Sequence, residues 1–418
     1  MREGYLLDPG LETQDDEDRQ QYLEHKLRTT IALLHREAPR VRRVLDSAGI
    51  LPGEFKLADL PRIPITRKDA LSAMQAEEPP LAGLLAGPVG RLQRLFVSPG
   101  PTYVPQGPAS DYWRFGMAFA ATGFRPGDVV LNTLAYHLTP GGFMLDSGLR
   151  SLGCVVIPAG IGQTDLQVRT ASALQATGYA GTPSFLRTLL LRAHELNVPL
   201  RFEAAFATAE MLPESLRQEL EGSGIRVLQG YATADLGVLA YECPQKNGMH
   251  LQPECIVEVL DLETGQPAQP GQPGQVVGTT FDDSYPLLRF ATGDIATLTP
   301  PGPCPCGRTA PRLKGLVGRV GDAVKVKGMF VRGSQMDEVM KQFPAVARFQ
   351  AVVTREEHLD RLVYLVELAP GASPDAALFE RIAEALRDVV KVRGEVQVAQ
   401  PGAIGDGAKK IDDRRVWR

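Results

Sequence analysis

The chain reads as a two-domain α/β protein, with a large multilayer N-terminal domain of mixed and parallel sheets and a small α+β C-terminal domain. Three observations carry that reading. First, 418 residues exceed what one hydrophobic core serves. Second, strand-like and helix-like segments alternate from 125 to 230, the pattern of βα units stacked on a largely parallel sheet. Third, the pattern restarts after "VGRVGD", which predicts domains at 1–318 and 319–418.

Taken in order, residues 17–52 are expected as helix, because Leu23, Leu27, Ile31 and Leu34 recur at three-to-four spacing. A linker rich in Pro and Gly follows. In the alternating block, "GDVVLNTLA" predicts a strand, 143–152 a helix and "GCVVIPA" a strand. "TDLQVRTASALQA" predicts a helix and "GYAGTPS" a short strand with a turn. "FLRTLLLRAHEL" is helical, and "FEAAFATAE" is a buried strand running into a turn. "PESLRQELEGSG" is an amphipathic helix with a glycine stop, and "IRVLQGY" is a strand. Function in such folds gathers in the loops beyond the carboxyl ends of the strands, here those after Val97, Leu134, Ile157, Ala207 and Tyr231. From 251 to 300, short strands between Gly/Pro turns predict an antiparallel subdomain. The last block predicts strands at 324–327, 348–354, 361–367 and 395–399, with helices at 334–343 and 375–391.

With 44% hydrophobic and 22% charged residues, and 45 basic against 49 acidic side chains, the composition is that of a soluble globular protein. No basic block points to nucleic acid or a membrane surface, and a homodimer is among the compatible assemblies. The acidic start "MREGYLLDPGLETQDDEDRQ" is not the pattern of a signal peptide, and no apolar run approaches the ~18–20 residues that cross a bilayer. Five cysteines in such a chain suggest a reducing cytoplasm, with metal or packing roles ahead of disulfides.

Three of those cysteines and one histidine fall in two tight clusters. "ECPQKNGMH" holds Cys243 and His250, and "PGPCPCGR" holds Cys304 and Cys306. Three thiolates and an imidazole make a four-ligand set suited to structural Zn²⁺, closed to substrate. Cys154 and Cys255 lie in strand-like contexts and read as small buried apolar residues. Of the remaining histidines, His137 in "LAYHLTPGG" is the one placed beyond a predicted strand, on the substrate side.

Other segments suit a nucleotide. "RLFVSPGPTYVPQGP" runs a strand into a Ser/Thr/Gly-rich turn, as phosphate loops do, but its prolines remove N–H donors and it has no lysine. "ATAEML" and "QGYATADLG" each follow a strand, and "LLRFATGDIATL" ends a strand-rich run in Thr-Gly-Asp. A nucleotide needs a flat face for its base, a carboxylate for the ribose hydroxyls and an acid for Mg²⁺.

"YATADLG", "GQVVGTTFDDSYPLLRFATGD", "CPCGRTAPRLKGLVGRVGDAVKVKGMFV" and "PGAIGDGAKKIDDRR" resemble the phenylacetate–CoA ligase group of adenylate-forming enzymes. The likeness runs from about residue 20 to the end and is most specific over 274–334. It implies ATP- and Mg²⁺-dependent activation of an aromatic or small carboxylic acid as acyl-AMP, with transfer of the acyl group to coenzyme A. It implies also a small C-terminal domain that rotates between the two half-reactions. By the same resemblance, Ala209 and Glu210 lie along the adenine and Tyr231 stacks on it, in a segment that includes Ala232 and Thr233. Asp294 binds the ribose hydroxyls, Arg319 approaches the ribose, and Asp322 lies in the hinge. Asp235 stands where the family places its Mg²⁺-binding glutamate, and Tyr136, Gly141 and Gly142 fall in the segment that shapes the acyl pocket.

Three departures from the family pattern accompany the likeness. Relatives carry a phosphate loop of the type "SSGTTGKP"; in its place only Ser98, Gly100 and Thr102 remain to approach a phosphate. Ala232 and Ala234 replace a glycine and a hydroxyl-bearing residue, and Asp235 is one methylene shorter than glutamate. At the C-terminus an ungapped match puts Gly407 at the family's catalytic lysine, so Lys409 or Lys410 serves only after a register shift. Two alternatives follow: a nucleotide-binding relative impaired in catalysis, and an enzyme that uses preactivated acyl-adenylate.

Overall fold

A computed structural model of the chain describes residues 3–98, 102–262, 264–320, 323–327, 329–357, 359–405 and 408–415. The chain folds as two compact units, Met1–Leu212 with Arg217–Gly318, and Pro213–Leu216 with Arg319–Arg418.

The helix expected over 17–52 is two helices, Asp16–Glu37 and Pro39–Ser47. The Asp15 side chain caps the first by accepting from the Asp18 N–H, and three acids in that first turn complement the helix dipole. Pro39 makes the break. It takes the first turn of the second helix and holds Ala38 extended, at φ −108° and ψ 100°. Leu27, Ile31 and Leu34 are fully buried, as their spacing requires.

The Pro- and Gly-rich stretch that follows is not a linker. It contains the two-residue strand Thr66–Arg67, the helix Lys68–Glu77, the hairpin of Arg94–Val97 with Tyr103–Gln106, and the helix Gly116–Thr122. Elements this short are held by tertiary contacts rather than propensity, so they leave almost no periodicity to read.

One large sheet organises the first unit. Across it the order is Cys255–Leu260, Pro273–Thr280, Phe290–Leu298, Arg312–Arg319, Met249–Leu251, Gly237–Glu242, Arg226–Thr233, Ala204–Ala207, Gly178–Gly181, Val129–Asn132 and Val155–Pro158. The last five pair in parallel, with the expected helices between them. At Gly237–Glu242 the chain doubles back on Arg226–Thr233 and the pairing turns antiparallel. The antiparallel subdomain expected at 251–300 is therefore an extension of the same sheet, because this hairpin carries the ladder across. Gly293, at φ +79°, bends the strand Phe290–Leu298 opposite a register shift between Gln275 and Val277. Thr-Gly-Asp thus lies inside a strand at a bulge, not at its end.

The second unit is a four-stranded sheet in the order Glu395–Val398, Leu359–Leu368, Val346–Glu356, Ile411–Asp413. The helices Gly333–Met340 and Ala376–Val390 pack their buried faces (Met336, Ile382, Leu386) into one core with Val353 and Tyr364. The short strand Ile411–Asp413, parallel to Ala351–Val353, was not legible because only one of its three residues is apolar. Among the described residues no helix is long and apolar enough to cross a membrane.

Candidate functional site

Asp235 sits at the tip of the hairpin formed by Arg226–Thr233 and Gly237–Glu242. The Thr233 hydroxyl accepts from the Leu236 N–H and closes that turn, while Leu236 anchors it in the core. Gly237 takes φ +72°, where a side chain would run into the Trp113 backbone. These constraints hold the Asp235 carboxylate, whose side chain is 2% exposed, between two partners. Lys68 Nζ lies 2.6 Å from Oδ2, and the Thr102 hydroxyl donates to Oδ1 at 2.9 Å.

Sequence reasoning missed Lys68. It opens the helix Lys68–Glu77, and the parallel pairing of Thr66 with Phe290 and Arg67 with Ala291 fixes where that helix begins. A lysine in a first turn opposes the helix dipole, so it needs a nearby anion, and Asp235 supplies it. That misplacement was the available signal.

The altered phosphate loop joins the same cluster. Ser98 N–H donates to Thr102 O at 2.8 Å, and the two hydroxyls meet at 2.6 Å. Ser98 and Thr102 are both buried, and the Thr102 hydroxyl faces Asp235. Gly100 lies outside the described residues. The loop's flanking strand is tied to the neighbouring segment: Val97 N–H donates to Leu138 O, Phe96 packs on Phe143 (5.2 Å between ring centroids), and the Arg94 guanidinium lies 4.8 Å from the Phe143 ring centre.

Tyr136 meets Phe143 edge-on at 5.1 Å. Its hydroxyl accepts from Asn132 Nδ2 at 2.7 Å and donates to Asp146 at 3.2 Å; burial, then that carboxylate, pushes its phenol well above the usual range. Gly142 is required there, since a Cβ would come within 2.7 Å of the Tyr136 ring. Gly141 is less crowded, 3.6 Å from Leu134 by the same measure. The structure thus joins Tyr136 and Gly142 in one aromatic wall. His137 is exposed and makes no side-chain hydrogen bond among the described residues.

Among the residues that the resemblance assigns to the nucleotide, the Tyr231 hydroxyl donates to Asp294 Oδ2 at 2.8 Å, and both residues are buried. Removing that bond leaves a buried carboxylate oxygen short of a donor. Tyr231→Phe should lower the unfolding free energy by about 1–2 kcal/mol in urea titrations. Ala209 follows the strand Ala204–Ala207 at φ +67°, a conformation uncommon for alanine, and Glu210 accepts from the Ser184 hydroxyl at 2.6 Å. Ala232 lies at a register shift opposite Val238. The side chain of Arg319, and Asp322 as a whole, lie outside the described residues.

In the second unit, Lys410 Nζ pairs with Asp337 at 3.1 Å and lies 4.1 Å from the Phe349 ring centre. Lys409 is exposed, with no side-chain partner among the described residues.

The cysteine–histidine set converges. The ligand atoms of Cys243, His250, Cys304 and Cys306 all lie within 4.8 Å of one another. Cys243 follows the strand Gly237–Glu242, and His250 comes from Met249–Leu251, whose register sets it opposite Tyr241. Two turns aim the sulfurs: Lys246 N–H donates to Cys243 O, and Gly307 N–H to Cys304 O, both at 2.9 Å. The Cys243–Cys304 sulfur separation is 3.7 Å, and Cys306 Sγ to His250 Nε2 is 3.5 Å. Tetrahedral geometry with Zn–S near 2.3 Å and Zn–N near 2.0 Å calls for about 3.8 and 3.5 Å. A disulfide would need about 2.05 Å. The other ring nitrogen, Nδ1, lies 3.2 Å from Ala310 O, which suits a donated hydrogen bond that leaves Nε2 for a metal. The bond from Cys243, then that from His250, holds the Cys306 thiol far below the usual range, while the same bond and burial push Cys243 up. Cys154 and Cys255 are buried as expected.

Beneath this cluster, Arg308 Nε donates to the buried Glu12 carboxylate at 2.5 Å, and the Tyr241 hydroxyl donates to it at 3.1 Å. The N-terminal turn is thereby fastened to the cysteine loop.

Comparison with known proteins identifies the family. A family profile described as AMP-binding enzyme matches residues 110–279, and one described as AMP-binding enzyme C-terminal domain matches 328–416. The chain is 32% identical to a phenylacetate–coenzyme A ligase of Thermus thermophilus, over 95% of this chain and 96% of that one. It is 27% identical to the Escherichia coli phenylacetate–coenzyme A ligase, over 98% of each chain. Among solved structures, a 2-hydroxyisobutyryl-CoA ligase in complex with 2-HIB-AMP and CoA superposes with a TM-score of 0.88 at 25% identity, covering 97% of this chain and 92% of that one.

Proposed function

Because the chain belongs to the phenylacetate–coenzyme A ligase family of AMP-binding enzymes, we propose that it activates an aromatic or small carboxylic acid with ATP and Mg²⁺ and passes the acyl group to coenzyme A. The observation that carries the reading is the Lys68–Asp235–Thr102 cluster. An enzyme taking preformed acyl-adenylate has no use for a buried cation at this point. One that handles ATP does. Asp235 would hold Mg²⁺, which would offset phosphate charge, and Lys68 Nζ would then be available to a phosphate oxygen. The ion pair thus presents both charges without first burying either alone. Lys68 replaces the cation missing from the altered loop, and the Thr102 hydroxyl keeps the carboxylate oriented.

Asp294, already hydrogen-bonded by Tyr231, holds the ribose hydroxyls, and Ala209, Glu210 and Tyr231 flank the adenine. Asp294→Asn should weaken AMP binding roughly 10- to 100-fold in calorimetric titration, the scale of charged hydrogen bonds lost. The acid lies against the wall of Tyr136, Gly142 and Phe143, whose aromatic faces favour a flat acyl group. Of the two C-terminal lysines we assign the adenylation role to Lys409, since Asp337 and Phe349 already hold Lys410. Residues 1–318 and 319–418 are the domains that rearrange between half-reactions.

We also propose that Cys243, His250, Cys304 and Cys306 hold a structural Zn²⁺, four protein ligands leaving no open position for substrate. We propose a cytoplasmic location, which free cysteines and the use of ATP and coenzyme A support. The deciding measurement is exchange of labelled pyrophosphate into ATP across a panel of aromatic and short aliphatic acids. At least one acid should support exchange; none doing so overturns the reading.

A further inference from the structure

The helix Lys68–Glu77 brings a second side chain to the Asp235 cluster. Gln75 lies two turns beyond Lys68, at i+7, and therefore on the same helix face. It is 2% exposed, and its whole amide is engaged. Oε1 accepts from the Tyr103 N–H at 2.7 Å, while Nε2 donates to Tyr103 O at 2.8 Å and to the Tyr285 hydroxyl at 3.2 Å.

The hairpin register explains why Tyr103 needs this partner. Tyr103 faces Val97 in the last pair before the altered loop, and the next bond toward the tip runs from Ser98 N–H to Thr102 O. The N–H and C=O of Tyr103 therefore point away from Val97, where each would cost free energy if buried unpaired. Gln75 answers both with one side-chain amide, as a neighbouring strand would. The opposite edge is held as well, since Val97 N–H donates to Leu138 O at 2.9 Å. Tyr285 is fixed by its own N–H, which donates to Asp282 Oδ1 at 2.6 Å. Burial, and after it the charges of Asp235 and Asp282, push the Tyr285 phenol up against the Gln75 bond, so it stays a neutral acceptor.

We infer that Gln75 is a positioning residue: by gripping the Tyr103 backbone it fixes the adjoining Thr102, whose hydroxyl orients Asp235 for adenylation. The inference rests on the adenylation proposed above. A loop whose prolines remove N–H donors has few bonds of its own, and the Ser98–Thr102 pair closes only its base. Support has to come from outside. One helix supplies both that support and Lys68, so the cation and the Thr102 hydroxyl keep a fixed separation at the two oxygens of Asp235. Gln75 acts through Thr102 and takes no part in the chemistry. Its effect on rate can still be large, because a displacement of about 1 Å near reacting groups can cost roughly 10²-fold.

The test compares the two half-reactions in Gln75→Met, which keeps the length of the side chain and loses its amide. The full chain is assayed with whichever acid of the panel gives the highest wild-type pyrophosphate exchange. In the variant the kcat of exchange should fall roughly 10-fold while the KM for the acid holds. Thioester formation from the supplied acyl-adenylate should keep its rate, and the Tyr103 amide should exchange with deuterium about 10-fold faster or more. Tyr285→Phe removes one bond from Gln75 and leaves its grip on Tyr103, so its loss should stay within about 3-fold. Wild-type exchange in Gln75→Met overturns the inference, as does an equal fall in both half-reactions, which is the mark of a folding defect. An unchanged Tyr103 amide, or a loss in Tyr285→Phe as large as in Gln75→Met, overturns it too. Failed pyrophosphate exchange in the wild type, alongside a Tyr103 amide freed by Gln75→Met, would overturn the proposed adenylation and leave the grip on Tyr103 standing.

Discussion

Replacing Lys68 with alanine should lower acid-dependent pyrophosphate exchange by roughly 10²–10³-fold, the usual consequence of deleting a fixed charge from a dehydrated site. The size follows from where Lys68 sits. Its Nζ is 2.6 Å from Asp235, on a side chain only 16% exposed, so bulk water cannot substitute for it. The altered loop offers no second lysine, and Ser98 and Thr102 are engaged with each other. The variant also strands a buried carboxylate, which would lower stability by a few kcal/mol. A fall in exchange alone would therefore be ambiguous. Thioester formation from supplied acyl-adenylate resolves it, since that half-reaction develops no pyrophosphate charge and should keep most of its rate. Lys68→Arg should recover part of the exchange. Exchange at the wild-type rate in Lys68→Ala would remove Lys68 from the chemistry and with it the account of how the altered loop is compensated.

The same cluster shows what the sequence could and could not reveal. The parallel block was legible because each strand is a short apolar run and each helix keeps its three-to-four spacing, and the loops following those strands do hold Ala209 and Asp235. Lys68 was not legible. It reaches Asp235 across 167 positions of sequence, through a two-residue strand that no periodicity can mark. The cysteine–histidine set was legible for the opposite reason: thiols and imidazole in two tight pairs are chemically conspicuous even when more than fifty residues separate the pairs. Tyr231 was marked for its ring, whereas the structure shows its hydroxyl at work on Asp294, a contact between two strands that three others separate in the sheet order. Local composition therefore identified the groups, and the long-range pairing decided what each of them touches.

The proposed zinc cluster should account for the largest stability change available from a single side chain. Protein purified without added metal should contain about one zinc per chain, and Cys306→Ser should abolish that content. Zinc bound by thiolates contributes on the order of 10 kcal/mol in small domains. Here the strands supplying Cys243 and His250 are already hydrogen-bonded, so part of the site survives metal loss, and a fall of several kcal/mol, roughly 5–15 °C in melting temperature, is expected. Cys255→Ser is the control, being a buried thiol outside the cluster: it should keep the zinc whatever it does to stability. The effect should extend to the nucleotide side. Cys243 follows the strand that pairs Ala240 with Tyr231, and the loop bearing Cys304 and Cys306 continues into Arg308, which grips Glu12. Loosening that end of the hairpin frees Tyr231 to leave Asp294, so AMP affinity should fall with the metal and return when zinc is restored. A metal content well below one per chain, or unchanged melting after Cys306→Ser, would show that the four side chains meet without holding an ion.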